Sequence, residues 1–162
     1  VVGDINHGWT IAKYLLTHER EMIGGMGMAD VGSETMGQIA ARALGVDQGR
    51  MNNPLLRAEV AKWEIDGACF ALTAERVTDE VKSGHGVGAT SAMLKYYGTE
   101  LNKRRFETLL KVNGSDAMVW EGEASNQGWL PRTWLRTKGN SIEGGTSEVQ
   151  LNVIAKNILG LG

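Results

Sequence analysis

Only one cysteine and two prolines occur in 162 residues. A single thiol excludes an internal disulfide and suits a reducing compartment. The apolar neighbours of Cys69, namely Ala68, Phe70 and Ala71, predict a packed core thiol rather than a nucleophile. Neither charge sign dominates: 17 Lys and Arg face 19 Asp and Glu, a net charge of −2 that argues against a nucleic-acid surface. No apolar run approaches the roughly 20 residues needed to cross a bilayer, so no membrane insertion is expected. The opening Val1-Val-Gly-Asp lacks the regions of a signal peptide, and a cytoplasmic location is expected. The missing initiator methionine suggests a fragment or a processed chain. The three histidines, His7, His18 and His85, lie in separate segments. No Glu-x-x-His pair and no His-Glu-x-x-His motif is present, so no metal site is expected. Nor is there a Gly-x-Ser-x-Gly elbow for serine chemistry.

What remains is hydrophobic residues at 42% and charged residues at 22%, the balance of one globular domain with a real core. With little β-branched alternation, the pattern is helical almost throughout. A first helix is predicted from Trp9 to about Gly25 and a second from Ser33 to Leu44, capped by Ser33 and stopped by Gly45. Val46 to Asn53 is polar and reads as a loop. Pro54 occupies the favoured first turn of a long helix. Along it Leu56, Val60, Trp63, Gly67, Phe70, Ala74, Val77 and Val81 alternate at spacings of four and three, the seam of a helix packed lengthwise against others. The glycine-rich run Ser83-Gly-His-Gly-Val-Gly88 allows a reversal. Another helix follows from about Ala89 to Val112, with Leu94, Tyr97 and Leu101 as its clearest core positions. Trp120 to Pro131 looks irregular, and Trp134 to Lys138 forms a short helical piece. The sum is an all-α chain, an antiparallel four-helix bundle.

The end of the chain combines a glycine turn with a capped amphipathic helix. Gly144 and Gly145 permit backbone conformations closed to residues with a Cβ. Ser147 with Gln150 fits a capping box. Leu151, Ile154, Ala155 and Ile158 make one apolar face, and Gly160 is placed to stop the helix. A helix start preceded by bare glycines presents N–H groups to an anion, although such a turn also serves simply to redirect the chain.

Glu19 is the carboxylate out of place. Ala12, Leu15, Leu16, Met22, Ile23 and Met26 form one stripe on the first helix, and Glu19 sits in its middle. Glutamate is rarely buried without a partner, because dehydrating its charge costs several kcal/mol. Desolvation raises a carboxyl pKa and makes it a useful general base near neutral pH. A position at the bundle's edge, paired with a lysine or arginine, is the structural alternative.

The terminal run Ile142-Glu-Gly-Gly-Thr-Ser-Glu-Val-Gln-Leu-Asn-Val-Ile-Ala-Lys-Asn-Ile-Leu-Gly-Leu resembles the closing signature of flavin-dependent acyl-CoA dehydrogenases. Gly3-Asp-Ile-Asn-His-Gly-Trp9 is similar to that family's entry into its C-terminal helical domain, and Pro54-Leu-Leu-Arg57 and Lys95-Tyr-Tyr-Gly-Thr-Glu-Leu101 resemble runs of bacterial members. The resemblance covers residues 1–162 as one helical domain, without the N-terminal helical and middle β domains. It implies FAD as cofactor, an acyl-CoA substrate desaturated between its α and β carbons, and electron-transfer flavoprotein as electron acceptor. It also implies a homo- or hetero-oligomer assembled through the helical domain. Alone, this chain would not complete an active site. Whether the acyl group is fatty, branched or polycyclic stays open.

Many members carry the base immediately before Gly-Thr, where this chain has Gly144; Glu143 lies one residue early. Another branch places it on the first helix in a Glu-Arg pair, which Glu19-Arg20 matches. The resemblance therefore implies Glu19 as the base with Glu143 in reserve, and Arg20 and Gly145 as substrate contacts. Thr146, Ser147 and Glu148 match the family's FAD-contacting turn, where capping is the alternative role of the two hydroxyls. Two departures stand out. The family's Arg-x-x-Phe cluster has no counterpart around Ala43 to Asp47, and its Gln-x-x-Gly-Gly stretch is weakened to Lys111-Val-Asn-Gly114-Ser115. Both concern cofactor contacts across an interface. They raise the alternative of a non-catalytic structural subunit that completes a partner chain's flavin site.

Overall fold

The computed structural model describes residues 2–26 and 34–162, with the side chains of residues 17, 20–26 and 124 left out. Among the described residues six α-helices carry the fold: α1 (Gly8–Met26), α2 (Met36–Leu44), α3 (Pro54–Lys82), α4 (Thr90–Asn113), α5 (Trp129–Thr137) and α6 (Ser147–Asn157). Helix α4 is the hub, since α1, α2, α3, α5 and α6 all pack on it. The all-α bundle expected from the periodicity is the fold observed.

The seam of α3 is accurate in detail. Val60, Gly67, Phe70 and Val77 are buried, Leu56, Trp63 and Ala74 half-buried, and only the terminal Val81 is exposed. Asn53 caps the helix by accepting from the N–H groups of Leu55 and Leu56, and Pro54 follows at the first turn, where a missing N–H is harmless. Helices α3 and α4 run antiparallel, because their cross-contacts descend in one chain as they climb in the other. Lys111 pairs with Glu59, Arg104 with Asp66, and Tyr97 stacks on Phe70 at 6.1 Å. Trp63 Nε1 donates to Leu101 O at 2.9 Å between them.

The apolar core gathers at one end of the molecule. Met36 and Ala40 of α2, Val60 of α3, and Phe106, Leu109 and Val112 of α4 form a buried cluster, flanked by Leu130 and Trp134 of α5.

Several expectations need correction. Ser33 lies outside the described residues, and α2 is capped by Thr35, which with Gln38 forms a reciprocal capping box; its end at Gly45 is as expected. The polar stretch 46–53 holds a small antiparallel hairpin, β1 (Val46–Asp47) and β2 (Arg50–Met51), turned through Gln48 and Gly49, both at positive φ. Helix α5 begins at Trp129, before Pro131 rather than after it, since a first-turn proline forfeits no intrahelical bond. Cys69 is exposed, one step off the buried line of Phe70. Leu94 and Tyr97 are only half-buried, while Leu101 is fully buried. The last helix ends at Asn157, with Ile158 as its cap, before Gly160 is reached.

Candidate active site

The glycine turn hangs from α4. A 3-10 turn over Lys138–Ser141 leads into it, and Gly144 and Gly145 adopt φ of 63° and 98°. Those values belong to glycine, and a Cβ on Gly145 would stand 2.6 Å from Gln150 Nε2. Both carbonyls of the turn are held from inside. Gln150 Nε2 donates to Gly144 O at 2.9 Å and to Gly145 O at 3.3 Å, and Lys95 Nζ donates to Gly145 O at 2.8 Å. Lys95 and Gln150 are both fully buried. Each anchor is therefore a polar group withdrawn from water, and its bonds to the backbone offset part of the desolvation cost.

Two turns further along α4, Lys103 Nζ bonds both Glu100 Oε1 and Ser141 Oγ at 2.7 Å. Ser147 Oγ reaches the same Glu100 oxygen at 3.4 Å, and Asn102 Nδ2 donates to Asn140 Oδ1 at 3.1 Å. Residues 95, 102 and 103 recur at helical spacing, so one face of α4 grips the chain on both sides of the turn.

The cap of α6 differs from the expected one. Thr146, not Ser147, is the N-cap, accepting from Val149 N at 3.3 Å. Gln150 then falls one residue past the capping-box position and folds back under the turn instead. Glu148 is exposed, and its carboxyl is held below the usual range. Its own backbone N–H contributes most, then the Thr146 hydroxyl, with Lys103 and Lys95 adding attraction at longer range.

Glu19 is half-buried on α1, with Ala12 and Leu16 half-buried on the same stripe. Leu15, also assigned to the stripe, is exposed. Met22, Ile23 and Met26 fall among the side chains outside the description, as does Arg20. Among the described residues the Glu19 carboxylate has no hydrogen-bond or ion-pair partner. Helix α1 packs on α4, the helix that anchors the glycine turn, so Glu19 and the turn are carried by elements that share one support. Glu143 is half-buried and accepts an ion-paired hydrogen bond from Arg136 Nη1 of α5. That bond raises the Arg136 pKa above its ordinary value.

From the sequence, Lys95, Glu100 and Lys103 carry no assigned role, and Gln150 only that of a capping box. A signal existed for Lys95. It sits among Ser91, Ala92, Gly98 and Thr99 at helical spacing, and all four are buried. A long cation centred in a patch of small residues is as incongruous as a glutamate in an apolar stripe. Among the described residues no three His, Cys, Asp or Glu side chains converge as a metal site, and no helix is long and apolar enough to cross a membrane.

A bundle organised on one hub helix, with a glycine turn anchored to it and a capped terminal helix beyond, defines an all-α helical-bundle domain. The family model described as the acyl-CoA dehydrogenase C-terminal domain matches residues 6–159, and the chain belongs to that family. Acyl-CoA dehydrogenase FadE34 of Mycobacterium tuberculosis is 28% identical over 163 residues, which is 99% of this chain and 21% of that protein. An acyl-CoA dehydrogenase from Geobacillus kaustophilus has the same fold, with a TM-score of 0.76 at 19% identity over 96% of this chain. So does the steroid acyl-CoA dehydrogenase Tcur3481-Tcur3483, with a TM-score of 0.76 at 24% identity over 99% of this chain. The chain spans 40% and 41% of those two solved chains and about a fifth of the curated relative.

Proposed function

We infer that this domain is the base-bearing part of a flavin-dependent acyl-CoA dehydrogenase, with Glu19 removing the α-proton of an acyl-CoA thioester. The observation that carries the inference is Glu19 itself: a half-buried carboxylate without a polar partner among the described residues, on the helix that packs beside the turn's anchor. A carboxylate committed to an ion pair is a poor base, and Glu143 is so committed to Arg136. The position where many family members carry the base is Gly144, at φ 63°, a conformation that would strain a glutamate.

The start of α6 suits part of FAD. The first-turn N–H groups of Ser147 and Glu148 have no intrahelical acceptor. The Glu148 carboxylate already lies over its own N–H, which disfavours a phosphate there and leaves a neutral hydroxyl or carbonyl edge as the compatible group. Thr146 and Ser147 would hold that edge, and their hydroxyls retain capacity beyond the cap and the Glu100 contact. When bound, FAD supplies the acceptor for the hydride lost from the β-carbon. Gly145 and Arg20 would contact the acyl-CoA, electron-transfer flavoprotein would take the electrons, and the cytoplasm is the matching compartment.

The test is Glu19→Gln in the full-length protein. Turnover should fall by about 10²–10⁴-fold with FAD content unchanged. Near-wild-type turnover would remove Glu19 from this role.

An assembly subunit is the second reading, and the outer face of α3 favours it. Ile65 and Leu72 are 64% and 67% exposed, and Ala68 and Cys69 are exposed between them at helical spacing. Such a stripe suits coverage by another subunit. FAD stoichiometry in the purified oligomer discriminates: one flavin per chain supports a complete site, and one per pair of unlike chains supports a scaffold role.

A further inference from the structure

The two serine hydroxyls that flank the glycine turn have opposite polarities, and one ion pair sets both. Lys103 and Glu100 of α4 form it, with side chains 21% and 30% exposed and Nζ 2.7 Å from Oε1. An ammonium only donates and a carboxylate only accepts. Lys103 Nζ also donates to Ser141 Oγ at 2.7 Å, so Ser141, before the turn, is an acceptor and keeps its proton for another group. Ser147, after the turn, donates to Glu100 Oε1 at 3.4 Å, so its proton is spent and its lone pairs are open. The Thr146 hydroxyl is committed in the same sense, accepting from Val149 N and donating to the Glu148 carboxylate. Among the described residues the Ser147 N–H, at the first position of α6, has no acceptor.

Ser147 therefore offers an N–H donor and an Oγ acceptor side by side. The cations nearby are engaged, Lys103 by Glu100 and Ser141, and Lys95 by the Gly145 carbonyl. Carboxylates at a helix N-terminus already satisfy its positive dipole end, which leaves little attraction for an anion from outside. We propose that Glu100 is a positioning residue for the flavin site: by taking the Ser147 proton it fixes that oxygen as an acceptor, so the start of α6 receives a neutral N–H or O–H donor of the cofactor and not its phosphates. This rests on the flavin-dependent function inferred above. FAD carries such donors in both halves, the imide N–H and ribityl hydroxyls on one side and the adenosine amine and hydroxyls on the other. The ion pair serves the selection directly. Lys103 holds Glu100 in place, and Glu100 decides which way the Ser147 hydroxyl turns.

The experiment uses the full-length protein, stripped of flavin and titrated with FAD while flavin fluorescence is followed. Glu100→Met removes the acceptor, whereas Glu100→Gln keeps an oxygen for the Ser147 and Lys103 protons. Glu100→Met should weaken FAD binding by about 3–10-fold, the range of one hydrogen bond, and Glu100→Gln by less than about twofold. Ser147→Ala should match Glu100→Met, and the double variant should bind within about twofold of either alone. Losses that multiply in the double variant would mean that Glu100 acts on the fold rather than through Ser147, and they overturn the proposal. Competition against FAD by fragments locates the donor. If riboflavin loses potency in Glu100→Met the donor lies in the flavin half, and if adenosine does it lies in the other. If inorganic pyrophosphate is the fragment that loses potency, the contact is with phosphate and the proposal is overturned.

Should Glu100→Met fail to fold, Ser147→Ala decides alone, and full FAD affinity in that variant overturns the proposal. Glu19→Gln measured in parallel separates the two ideas, because it should lose turnover while keeping FAD affinity. If Glu19→Gln keeps turnover while Glu100→Met and Ser147→Ala lose FAD together, the assignment of the base fails and the role of Glu100 stands. If the wild-type protein binds no FAD, both are overturned.

Discussion

From Arg105 to Val112, α4 buries Phe106, Leu109 and Val112 against α2, α3 and α5, with Arg105 and Thr108 as the buried polar residues among them. From Ser91 to Leu101 the same helix buries Ser91, Lys95 and Thr99 beside Ala92 and Leu101. The first stretch gains its stability from apolar area removed from water and is indifferent to direction. The second buries polar groups, gains little net free energy from them, and fixes where its neighbours go. The difference teaches how one helix divides its labour. Its C-terminal part holds the domain together, and its N-terminal part holds a turn in a shape glycine alone permits. Among the described residues, Trp134 Nε1 of α5 beside the apolar core and Gln150 Oε1 of α6 beneath the turn are buried without a hydrogen-bond partner.

If that division is right, substitutions in the two parts should fail in different ways. Phe106→Ala should be the most damaging to stability. It opens a cavity in the apolar cluster and removes the edge contact with Trp129, whose ring centroid lies 5.8 Å away. A loss of about 3–5 kcal/mol is expected in chemical denaturation. A loss under about 1 kcal/mol would mean that the apolar end is not the source of stability. Gly145→Ala should cost less, about 1–3 kcal/mol, from the φ of 98° and displacement of the Gln150 amide. Its larger consequence should be in acyl-CoA affinity, measured by titration calorimetry, and equal affinity in mutant and wild type would contradict a shaped turn. Thr146→Ala removes the cap of α6 and should cost about 1 kcal/mol.

The same contrast explains what could be read from the sequence. The buried line of α3 was legible because apolar residues in a lengthwise-packed helix repeat with the helix itself, and Val60, Gly67, Phe70 and Val77 all follow that rule. Helix α4 hid its polar half. Lys95 is counted as a surface residue by any periodicity that scores charge as exposed, yet it is completely buried. Its partner, the Gly145 carbonyl, lies 50 residues away in sequence. Gln150 was seen as half of a capping box, and a shift of the cap by one residue to Thr146 sent it into the core instead. The hairpin at 46–51 was missed because two-residue strands carry no alternation to detect. Glu19 stands out in the sequence by its conflict with a regular stripe, of which the structure describes Ala12 and Leu16 as half-buried and Leu15 as exposed.

Between the two halves sits Asp66 of α3, which tests where the boundary lies. Its carboxylate bonds Arg104 Nη1 at 2.8 Å and Lys62 Nζ at 3.1 Å. Arg104 is the main cause, and Lys62 the second, of an Asp66 pKa held below its ordinary value of 3.8. A carboxyl whose pKa is lowered by folding adds stability above its unfolded-state pKa, and loses that contribution as the pH falls through its folded-state pKa. Asp66→Asn should therefore destabilise the protein by about 0.5–1 kcal/mol near neutral pH, the scale of a partly solvated ion-pair network. The gap to wild type should close between about pH 4 and pH 2. Added salt should also narrow it at pH 7, because these charges are only partly shielded from solvent. A difference that persists unchanged at low pH would assign Asp66 to packing rather than charge, and would place it with the apolar half of α4.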